Sequence, residues 1–141
     1  MLSDNRNKES LLEIMNFIRK IENVEHRAKT ELGLGDELIQ DLFCFELQQI
    51  GESSNKISED LKNKYPNVLW NEIKGLRNII AHEYGNVDNK ILLNTISEDV
   101  PILKKQIMGI LKKEFQLDIK TTSNRIEINL NKAEEGKGLD R

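Results

Sequence analysis

The stretch Leu11-Leu12-Glu13-Ile14-Met15-Asn16-Phe17-Ile18-Arg19-Lys20-Ile21 decides how the chain folds. Leu11, Ile14, Met15, Ile18 and Ile21, continued by Val24, fall at steps of three and four. At 3.6 residues per turn that spacing gathers them into one apolar stripe, with charged side chains on the opposite face. The same period returns along the chain. Ile39, Phe43, Leu47, Ile50, Ser54, Ile57 and Leu61 share a face, as do Leu92, Leu93, Ile96, Val100, Leu103, Ile107 and Ile110. Ile73, Leu76 and Ile80 repeat it over a shorter segment. Each stripe can be buried only against another, so the pattern predicts an all-α antiparallel bundle of four to five helices.

Local signals set the expected boundaries. The first helix is expected over residues 8–30, with Ser3, Asp4 or Asn5 as its cap and Gly33 and Gly35 as its break. Asp36 caps a second helix that runs to Leu61. Gly51 lies inside it, where it costs about 1 kcal/mol relative to Ala, and its expected use is close approach of another helix. Tyr65-Pro66-Asn67 is a turn signal. A third helix starts near Leu69 or Trp70 and stops near Gly85-Asn86. Asp88 caps a fourth, in which Pro101 removes a backbone hydrogen bond and kinks the rod. Residues 1–115 thus form one helical domain. Residues 116–141 form a polar tail: a weak hairpin around 121–124 that needs a partner surface, then 131–141, polar and expected to be disordered. There is no internal repeat.

Composition narrows the function classes. The 141 residues suit one domain. Net charge is −3, from 21 basic and 24 acidic side chains, so nucleic-acid binding would need a local basic cluster. The single cysteine, Cys44, lies in an apolar run and reads as a core residue in a reducing compartment. No apolar run approaches the ~18–20 residues that span a bilayer, and the N-terminus carries no signal core, so a cytoplasmic location is expected. A phosphate loop and a dinucleotide fingerprint are absent; Gly33-Leu34-Gly35 reads as a loop. Two distant histidines and one cysteine offer no dense metal site, so no metal and no cofactor are expected.

Reactive side chains concentrate in Arg77-Asn78-Ile79-Ile80-Ala81-His82-Glu83-Tyr84. His82 titrates near neutrality and suits general acid or base chemistry. Arg77 can grip a phosphate and neutralise a transition state. Asn78, four residues before His82, can orient the imidazole. Tyr84 can stack on a base or accept a modification. Each also has an ordinary structural role open to it: His82 against the helix dipole, Arg77 in a surface ion pair, Tyr84 packed at the bundle edge. Arg77 and His82 stand about 140° apart around a helix. Either the helix loosens before His82 or a second subunit completes the site.

Arg-x4-His-x-Tyr, as Arg77, His82 and Tyr84, resembles the signature of the HepT branch of the HEPN superfamily. Ile50-Gly51-Glu52, Trp70 with Gly75-Leu76-Arg77-Asn78, Val87-Asp88 and Asp99-Val100-Pro101 resemble that family's segments in the same order. The resemblance covers about residues 8–112. Ser53 departs from it, standing where the family has Ala, a small residue for a small one. The resemblance implies a HEPN bundle acting as a homodimer. It implies a toxin with metal-independent endoribonuclease activity, RNA as substrate, and Arg77, His82 and Asn78 at the active site. It also implies silencing by an MntA-type nucleotidyltransferase antitoxin, which places AMP on Tyr84. Two other readings stand beside it: a non-catalytic HEPN nucleotide-binding or scaffolding module paired with a nucleotidyltransferase, and a purely structural helical dimerisation protein. The runs Lys104-Lys105 and Lys112-Lys113-Glu114 read as solvated helix faces, with contact to RNA as the alternative.

Overall fold

In a computed structural model, residues 2–33, 36–73, 89–121 and 125–130 are described. Among the described residues the chain is all-α apart from one small hairpin. Helix α1 (Leu2–Arg27) continues through a π turn at Ala28–Leu32, and Gly33 closes it with φ of 90°. Then come α2 (Glu37–Asn55), α3 (Glu59–Lys64), helical residues 70–73 (α4) and α5 (Asn89–Asn94). A π turn at Thr95–Asp99 joins α5 to α6 (Val100–Phe115). Strands β1 (Leu117–Thr121) and β2 (Ile126–Leu130) pair antiparallel, with Ile119 opposite Ile128.

Most stripe residues meet in one core. Leu11, Ile14, Met15, Ile18 and Ile21 from α1 pack with Phe43, Leu47 and Ile50 from α2 and with Ile107, Ile110 and Leu111 from α6. Polar pairs fix the helix directions. Asn7 and Ser58 exchange two hydrogen bonds (3.0 and 2.9 Å), and Ser53 Oγ donates to Glu13 at 3.0 Å. Partner numbers rise on one helix as they fall on the other, so α1 and α2 are antiparallel. The Ser53 hydroxyl thus has a partner that an alanine methyl would lack.

Three expectations are adjusted and a fourth is met. Helix α1 starts six residues early, so Ser3, Asp4 and Asn5 lie within it rather than capping it. Tertiary packing explains the extension, because Asn7 in the added turns is buried and bonded to Ser58. The second helix stops at Asn55. Ser54 Oγ turns back to the Gly51 carbonyl (3.3 Å), and Ser58 accepts from Leu61 N (3.2 Å) as the cap of α3. Two caps replace one continuous rod, while Ile57 and Leu61 stay buried. Pro101 sits in the first turn of α6, where its missing N–H is tolerated. Just upstream the Val100 N–H reaches the Thr95 carbonyl, five residues back, in the widened π turn. Finally, the expected hairpin has its partner surface: β1 lies on α6, β2 reaches α1, and Ile119 is 2% exposed. Asp36 caps α2 as expected, accepting from Leu38 N at 2.9 Å. Asp88, Leu76, Ile80, Gly85-Asn86 and residues 131–141 lie outside the described residues.

Candidate active site

Arg77, Asn78, His82 and Tyr84 all fall in residues 74–88, outside the described residues. The segments that flank this motif, in sequence or in the family pattern, are described. Upstream, Trp70 is buried and its Nε1–H donates to the Tyr65 carbonyl at 3.0 Å. That bond ties α4 to the turn before it, and Ile73 carries the stripe into the core. Downstream, the α5–π–α6 rod starts at Asn89. Ile50 and Gly51 are buried on α2, and Glu52 beside them is half-buried. A groove of about 310 Å³ opens between α2, α4 and the π turn. Leu47, Ile50, Ile73 and Leu103 floor it, with Thr95 and Asp99 among its polar groups. π turns recur at functional sites because they re-aim side chains without ending a helix.

Two polar centres escaped the sequence reading. Glu46 on α2 is 6% exposed, and its Oε2 has no hydrogen-bond partner among the described residues. Burial pushes its carboxyl above the usual range, against the pull of Lys20 and Arg19. Position 46 neighbours the apolar stripe, so periodicity gives no warning of it. The second centre ties the ends of α3 and α6. Tyr65 Oη donates to Glu114, and Lys64 Nζ bonds the same carboxylate at 3.0 Å. Burial first, then the Glu114 bond, push Tyr65 up to about 12, while the bond from Tyr65 holds Glu114 low. Tyr65 had been read only as part of a turn; the 49 residues separating it from Glu114 hide the pairing.

Cys44 is buried, and burial followed by Asp41 raises its thiol, which suits a core residue rather than a nucleophile. Among the described residues no three His, Cys, Asp or Glu side chains stand together, and no helix is long and apolar enough to cross a membrane.

The described residues form an all-helical domain apart from one small hairpin, and the segments on both sides of residues 74–88 are anchored in its core. Comparison with known proteins makes the family specific. The model of the HepT-like family, described as ribonuclease HepT-like, matches residues 12–110, and the chain belongs to that family. A candidate RNase of Methanocaldococcus jannaschii is 34% identical over 99 residues, covering 70% of this chain and 84% of the relative. A probable ribonuclease HepT of Thermococcus cleftensis is 34% identical over 105 residues, covering 74% and 96%. A candidate RNase of Caldanaerobacter subterraneus is 35% identical over 79 residues, covering 56% and 70%. No solved structure matches the chain.

Proposed function

We propose that this protein is the toxin of a two-gene toxin–antitoxin pair, and that it is a metal-independent endoribonuclease working as a homodimer. The observation that carries the reading is the family match over residues 12–110, which encloses Arg77-x4-His82-x-Tyr84. In the proposed reaction a ribose 2′-OH attacks the adjacent phosphorus. An O2′–P bond forms and the P–O5′ bond breaks, leaving a 2′,3′-cyclic phosphate and a 5′-OH. His82 removes the 2′ proton or delivers a proton to O5′, and its dimer mate takes the other role. Arg77 neutralises charge on the phosphoryl oxygens. Asn78 orients the imidazole. DNA lacks the nucleophile and is inert.

Silencing falls to Tyr84. Its hydroxyl attacks the α-phosphorus of ATP on a partner nucleotidyltransferase, a phosphodiester to AMP forms, and pyrophosphate leaves. The added negative charge two residues from His82 repels an RNA backbone. Tyr84→Phe therefore keeps the nuclease and escapes silencing.

The test is cleavage of total RNA in EDTA by wild type and by His82→Ala. Cleavage by wild type alone supports the reading. Equal cleavage by both removes His82 from the chemistry, and no cleavage by either favours a non-catalytic module.

A further inference from the structure

Helix α6 presents an outward face made of Lys105, Gly109 and Lys112, with Lys113 beside it; all four are exposed. Other lysines in this region are engaged: Lys104 bonds Glu22 at 2.7 Å and Lys64 bonds Glu114 at 3.0 Å. Among the described residues Lys105 and Lys112 have no acidic partner, and Lys113 stands over the Tyr65 ring at 5.9 Å. Glu114, the acid next to Lys113 in sequence, is already held by Tyr65 and Lys64. The stripe therefore stays basic on a chain whose net charge is −3.

Helix-dipole complementation accounts for Lys112 and Lys113 in the last turn. It does not account for Lys105, two turns earlier. Nor does the fold account for Gly109: a Cβ placed there would meet nothing within 4 Å. A glycine in an exposed helix interior weakens the helix. In this position it leaves bare backbone between two cations, where an extended polyanion can lie close to the helix.

Resting on the ribonuclease reading above, we propose that this face is a second RNA-contact surface, distinct from the motif, which holds the phosphates of a long substrate. At 1.5 Å per residue, Lys105 and Lys112 lie roughly 24 and 35 Å along the α5–π–α6 rod from its start at Asn89. Such a contact is sequence-independent and depends on salt.

The test uses the full chain with fluorescent, uncleavable 2′-O-methyl RNAs of 24 and 6 nucleotides, with anisotropy read between 50 and 200 mM KCl in EDTA. Lys105→Gln/Lys112→Gln is compared with Lys29→Gln/Lys56→Gln. The latter removes the same charge from lysines paired elsewhere, with Glu25 and Glu13. Removing two phosphate contacts lowers the salt slope by about 1.4, which corresponds to about 25-fold weaker binding at 0.1 M salt. That loss is expected for the 24-mer and only in the α6 variant. Equal losses in both variants would mean bulk charge alone and overturn the proposal. Unchanged 24-mer affinity also overturns it, leaving the stripe to an acidic protein surface while the nuclease reading stands. Wild type that binds neither RNA removes both.

Discussion

Truncating Ile119 tests whether the C-terminal hairpin belongs to the core. Ile119 is 2% exposed on β1, and the face it shares with Leu117, Thr121, Ile126 and Ile128 turns toward the helices. Ile119→Ala removes three buried carbons at ~0.8 kcal/mol each, with a partial cavity term, for a loss of about 2.5 kcal/mol. Its cross-strand neighbour Ile128 is 48% exposed. The same truncation there should cost about half as much. Urea unfolding followed by circular dichroism, at matched protein concentration, measures both. With a slope near ~1.5 kcal/mol/M, the midpoint falls by about 1.7 M for Ile119→Ala and by under ~1 M for Ile128→Ala. An isolated two-stranded hairpin is only marginally stable. If the hairpin stood free of α1 and α6, neither truncation would move the midpoint, and that result would refute the packing argument. A smaller prop from the same surface is Glu22, which accepts from Lys104 at 2.7 Å and from Thr121 at 3.5 Å.

Three further outcomes follow from individual groups. Tyr65 should ionise, by absorbance at 295 nm, with a midpoint near 12. Because its folded value is raised, its stabilising contribution is complete below pH 10 and is lost as pH rises toward 12; Glu114, held low, contributes above its ordinary range and loses that contribution as pH falls through the lowered value. Tyr65→Phe should abolish the high-pH step and cost about 1 kcal/mol in thermal unfolding. Glu46→Gln should stabilise the protein by about 1 kcal/mol at neutral pH, since it removes the buried charge of a carboxylate whose Oε2 has no hydrogen-bond partner among the described residues. The raised Glu46 carboxyl favours folding at low pH and loses that advantage as pH rises, so the gain should shrink to nothing below pH 4.5, and a pH-independent gain would contradict the assignment. Gly109→Ala should raise stability by roughly 0.5–1 kcal/mol, because the added methyl meets open space; a lower melting temperature would count against that.

How much of this was legible in the sequence depended on what each residue's role rests on. Stripe residues such as Ile14, Phe43, Leu47 and Ile107 announce themselves, because burial repeats with the helical period and needs no knowledge of the partner. The Asp36 cap is equally local: the side chain that ends the loop also satisfies the first free N–H groups of α2. The stop at Asn55 was not legible, because Ile57 and Leu61 continue the stripe faultlessly. What breaks the rod is Ser58, committed to Asn7 across 51 residues of chain. Tyr65 with Glu114 and the buried Glu46 belong to the same category of non-local electrostatics, which residue spacing does not encode. The motif residues are the opposite case. Arg77, Asn78, His82 and Tyr84 are recognisable by type and order alone, because the family pattern is written in residue identities, and the phosphate chemistry proposed for them calls for a cation and a histidine. Such a motif needs the fold to hold its two flanks. Trp70 bonded to the Tyr65 carbonyl and the π turn that accommodates Pro101 are the devices that do so on either side of it. Disturbing either flank should therefore weaken RNA cleavage while His82 remains in place, an effect that His82→Ala cannot mimic in thermal stability.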